Sequence, residues 1–74
     1  MTTKQEIKER KRLISELKTI REDKGITPTE LAKICNIRRC NVYRVESGNN
    51  ATTIDIIIRM ANALGKKIEI VDKP

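Results

Sequence analysis

Within TELAKICNIRRCNVYRVESG, from Thr29 to Gly48, three arginines, an asparagine and the chain's one tyrosine fall inside seven positions. Arg38, Arg39 and Arg44 carry fixed charge on planar donor forks, Asn41 offers both a donor and an acceptor, and Tyr43 adds a flat ring with a hydroxyl. Such a set can hydrogen-bond a polyanion, and it holds no nucleophile beside a base. Arg39, Tyr43 and Ser47 recur at i, i+4 and i+8, a helical line distinct from that of Val42 and Val45. The same pattern would serve a merely solvated helix face, and spacing alone leaves both readings open.

The bulk charge favours a polyanionic partner. The 74 residues carry a net charge of +6, and cationic side chains that neutralise phosphates release counterions on binding. Charge does not by itself separate nucleic acid from an anionic membrane. No stretch approaches the roughly 20 apolar residues of a spanning helix, and MTTKQEIKERKR lacks the apolar segment of a signal peptide. These features lead us to expect a cytoplasmic protein. With no histidine and no C-x-x-C among its two cysteines, no metal or other cofactor is expected, and no enzymatic activity. Cys35 reads as a core residue. Cys40 reads as a small side chain on the outer face, in preference to a redox switch, because nothing offers a resolving partner.

The elements that must position these residues are mostly helical. Residues 3–24 form a charged helix with Leu13, Leu17 and Ile20 at i, i+4 and i+7, Ile14 beside them and Ile7 a heptad earlier. Gly25 ends it. Thr27, Pro28 and Glu30 spell a capping box with proline in the first turn, opening a short helix to about Cys35. Asn36 turns the chain, Ile37 anchors the turn, and a helix follows over 39–47. SGNNATT is a loop. A last helix over 53–64 carries Ile54, Ile57, Ile58, Ala61 and Leu64 on one side, and Gly65 stops it.

From residue 67 to 72 the period changes to two, which predicts a strand. A lone strand leaves its backbone groups unpaired. The simplest partner is the same strand of a second copy across a two-fold axis, with Ile68, Ile70 and Val71 as dimer contacts. A core built on isoleucine with one aromatic residue is thin for a chain this short, which also favours a homodimer. The expected fold is thus a single, mainly α domain of four to five helices with a C-terminal strand pairing across the dimer.

From Leu17 to Gly65 the chain resembles the lambda-repressor-like helix-turn-helix family, the Cro and Xre type of regulators. The matching positions are Leu17, Ile20, Arg21, Gly25, Leu31, Ala32, Val45, Glu46, Gly48, Ala63, Leu64 and Gly65, in one ungapped register. The resemblance implies sequence-specific binding of double-stranded DNA by a dimer, commonly a repressor, with the second helix of the motif in the major groove. Carried over by position, Arg38, Arg39, Cys40, Tyr43 and Arg44 face the groove. Asn41 and Ser47 lie at its margins, and Asn49 and Asn50 on the loop near phosphate. Arg39 is read as a base contact, Arg38 as a phosphate contact, and Arg44 as either. Arg21 and Glu46 are implied to pair across the domain as a structural brace.

Three departures from the family pattern stand out. Pro28 replaces a glutamine that braces the recognition helix, Arg38 replaces its usual Ser/Thr cap, and the C-terminal strand replaces a fifth helix. Two other readings stay open: a DNA-binding antitoxin, whose extended first helix or tail would hold a toxin partner, and a protein-interaction module that no longer binds DNA.

Overall fold

The structure, a computed structural model, describes residues 3–74. Its helices are α1 (Lys4–Asp23), α2 (Pro28–Cys35), α3 (Arg39–Ser47) and α4 (Ile54–Ala63). Each boundary has a local cause. Thr3 accepts the Glu6 N–H at the start of α1, and Thr53 accepts the Ile56 N–H at the start of α4. The Thr27–Glu30 capping box is reciprocal, each side chain bonding the other's backbone N–H at 3.1 Å, with Pro28 in the first turn of α2. Asn36, at φ 56°, adopts the left-handed conformation that ends α2. Short polar side chains tolerate that region better than most.

The core is a single cluster to which every helix contributes. Ile14 and Leu17 of α1 meet Leu31, Ala32 and Cys35 of α2, Val42 and Val45 of α3, and Ile57, Met60 and Ala61 of α4, with Leu64 just beyond. Ile26 and Ile37 pack at its edge from the two turns. The domain's longest dimension is 32 Å, close to the roughly 30 Å that a twenty-residue helix spans.

Two expectations need correction. The strand anticipated over 67–72 is not formed: among the described residues none is in a strand, and residues 66–74 are irregular. A strand needs a neighbour to complete its ladder, and this chain offers none. Ile68 instead lines a shallow depression with Leu13, Leu17 and Ile20 of α1. Ile70 is fully exposed and Val71 largely so. On α4 and at its C-cap, Ile57, Ala61 and Leu64 are buried as anticipated, but Ile54 and Ile58 are not. Met60 is buried while Ile54 is 60% and Ile58 41% exposed, because the run IDIII places isoleucine on several sides of the helix and lets packing against α2 choose among them.

Candidate nucleic-acid interface

The recognition surface is decided by which side of α3 is buried. Val42 and Val45 point into the core at 0% and 5% exposure. Arg39, Cys40, Tyr43, Arg44 and Ser47 therefore face outward, and Asn41 sits half-buried at the margin. Tyr43, at 55% exposure, is an exposed large side chain that no core contact explains. Arg38 is the N-cap residue, in extended conformation, and its side chain makes no capping bond. The α3 start is held only by backbone donation from Asn41 and Val42 to the Arg38 carbonyl.

The loop after α3 brings a second group of residues alongside. Asn41 and Arg44 share the rim of a shallow cleft with Asn50, Thr52 and Thr53. Asn49 is exposed near Ser47, whose hydroxyl donates to the Arg44 carbonyl at 2.7 Å and accepts the Asn49 N–H at 3.3 Å. Ser47 is thus engaged in shaping the helix end. Among the described residues, Arg38, Arg39 and Arg44 form no ion pair with a carboxylate. Their charge is available to an external anion.

Arg21 and Glu46 occupy the opposite setting. Both side chains are 7% exposed. The Arg21 Nε donates to Glu46 Oε2 at 2.6 Å and Nη2 donates to Oε1 at 3.1 Å, a bidentate pair, while Nη1 donates to the Ile26 carbonyl at 2.7 Å. One guanidinium thus ties α1 to α3 and to the turn before α2. Every buried side-chain polar atom among the described residues has a partner, which is the condition for such burial to be tolerated.

Sequence reasoning overlooked a second tie. The Arg10 Nε donates to the Gly48 carbonyl at 3.3 Å, joining the N-terminal part of α1 to the end of α3. Gly48, at φ 70°, is buried, and a Cβ built there would lie 3.2 Å from Lys11 Cγ. Arg10 falls on the inward line of Ile14, Leu17 and Arg21 by helical spacing, and that was the available signal. With proline at position 28, this contact braces the recognition helix from its other end.

Two ionisable groups are displaced by their surroundings. The Thr27 backbone N–H, followed by its hydroxyl contact, holds the Glu30 carboxyl below its usual range. Burial pushes the Cys35 thiol up, with partial opposition from Arg59. Both effects belong to the framework. Cys40 is a free, exposed thiol.

Comparison with known proteins gives one result. Residues 17–71 match the model of a family described as helix-turn-helix. No curated protein and no solved structure matches the chain.

Proposed function

The chain belongs to the helix-turn-helix family of DNA-binding regulators, and from that premise we propose that it is a homodimeric repressor reading an inverted repeat with α3. The observation that carries this reading is the sorting of α3, with Val42 and Val45 buried and Arg39, Tyr43 and Arg44 turned outward without ionic partners. A helix of that kind fits the major groove, where arginine meets guanine O6 and N7 bidentately. Arg38, Asn49 and Asn50 flank it at positions suited to phosphate, the class of contact that fixes register without specifying sequence. Cys40 contributes a small side chain between Arg39 and Asn41. A short operator read by two copies then represses by occluding a promoter, without catalysis or a cofactor.

The test is selection from a random duplex pool at near-physiological salt. An enriched inverted repeat is expected, and its half-site spacing reports the distance between the two recognition helices. Salt-sensitive binding with no enriched sequence would overturn sequence-specific repression.

A further inference from the structure

We infer that Lys4, Lys8 and Lys11, along the N-terminal half of α1, grip the backbone of duplex DNA flanking the segment that α3 reads. The inference rests on the DNA-binding role proposed above and extends the interface to an element outside the helix-turn-helix motif.

Three observations carry it. The first is how charge is distributed around α1. Lys4, Lys8 and Lys11 follow one another at i, i+4 and i+7, a single line on the helix surface. A different line holds Glu9, Arg12 and Glu16, and there Arg12 bonds both carboxylates, at 2.9 and 3.0 Å. The three lysines form no ion pair among the described residues. Further along, Lys18 precedes Glu22 by one turn, so the unopposed stretch ends with Lys11.

The second is that the arrangement opposes the stability of the helix carrying it. Like charges one turn apart repel, and cations near a helix N-terminus meet the positive end of its dipole. A solvated helix gains nothing from this order, whereas a polyanion reverses the sign of both effects.

The third is placement. Lys11 packs against Gly48, the residue that caps α3, and Arg10 bonds the Gly48 carbonyl. The lysine line therefore starts at the end of the recognition helix and runs away from it. With α3 in a groove, the strand bordering that groove lies on this flank. From Lys4 to Lys11 is about 10 Å by helical rise, comparable to the advance along the duplex axis over about three phosphate steps of one strand.

The test compares the full chain with K4Q/K8Q/K11Q and with Arg12→Gln, on the selected duplex with long flanks and on one trimmed to the half-sites. Glutamine keeps the helix propensity, and although its stem is shorter it retains the Cβ and Cγ that Lys11 places against Gly48. The triple variant is expected to lower the slope of log affinity against log salt by about 0.9 for each phosphate it no longer neutralises, with base preference unchanged. Arg12→Gln, beside the lysine line but already bonded to Glu9 and Glu16, is expected to keep the parental slope, and trimming the flanks is expected to erase the difference between parent and triple variant. An unchanged slope in the triple variant would overturn the inference. So would a drop from Arg12→Gln about a third as large as the triple variant's, in proportion to the one charge it removes, which would make the effect one of net charge, or an undiminished drop on the trimmed duplex. If the parent chain fails to bind DNA at all, the DNA-binding reading falls and this inference falls with it; parental binding with an unchanged variant slope removes this inference alone.

Discussion

Arg21 and Arg39 are both helical arginines, and their surroundings give them opposite tasks. Arg39 is exposed at the first position of α3, where the proposed base contact predicts a local effect on specificity. Arg39→Ala should relax preference at one position in each half-site, at about 1–3 kcal/mol of discrimination, as read by affinities for a panel of single-base operator variants. A uniform weakening across the panel would assign Arg39 to phosphate instead. Arg21, 6% exposed, should leave DNA sequence preference untouched when replaced but should destabilise the fold. Arg21→Ala abandons a buried Glu46 carboxylate and an Ile26 carbonyl, and a loss of about 3–5 kcal/mol is expected in urea denaturation. A loss under about 1 kcal/mol would mean that water replaces the guanidinium. From residue pattern alone Arg21 looks like an outward charge. Its position on the line of Ile14 and Leu17 signals burial only once Glu46 is known to sit opposite, and that is a tertiary fact which the family resemblance supplied.

At the scale of elements, helix ends were legible and the choice of buried side was less so. Caps are local: Thr27, Pro28 and Glu30 contain in four residues all the groups that their geometry uses, and Asn36 needs no distant partner to turn the chain. Thr27→Ala should therefore cost about 0.5–2 kcal/mol. Glu30 adds a pH dependence whose sign follows from its depressed folded-state pKa. Its contribution is present above the ordinary glutamate range and is lost as pH falls through the lowered value. Glu30→Gln should remove that part of the acid-side slope, measured by denaturation across the acid range, and an unaltered slope would assign it to other carboxylates. The α4 face behaves differently. Ile54, Ile56, Ile57 and Ile58 give no unique stripe, and only contact with α2 selects Ile57, Met60 and Ala61 for the interior. Met60→Ala should then cost about 2–5 kcal/mol, against about 0.5 kcal/mol or less for the exposed Ile54→Ala. The reverse order, measured in the same denaturation series, would restore the face that the isoleucines first suggested.

At the scale of the whole molecule, the question is what completes the C-terminal segment. Period-two alternation from Lys67 to Asp72 signals a strand, yet the single chain leaves it irregular, with Ile70 and Val71 exposed. The discrepancy has a physical source: alternation encodes one face for burial, but a ladder needs a second strand, and a sequence does not say which chain provides it. Were the same segment of a second copy to supply it in the proposed homodimer, the unpaired backbone groups and exposed isoleucine would become an interface. Removing residues after Gly65 should then raise the monomer fraction in sedimentation. Truncation also strips Ile68 from its place against α1, so Ile70→Lys is the cleaner perturbation, since that side chain touches nothing its own chain would miss. Ile70→Lys should raise the monomer fraction at unchanged thermal stability of the monomer, and should weaken binding to a two-half-site operator more than to a single half-site. If both variants sediment as the parent does, the tail is not the interface. Exposed Ile54 and Ile58 on α4, or Ile34 on α2, would then be the apolar surface left to hold two copies together, and the half-site spacing would have to be rebuilt around that helix.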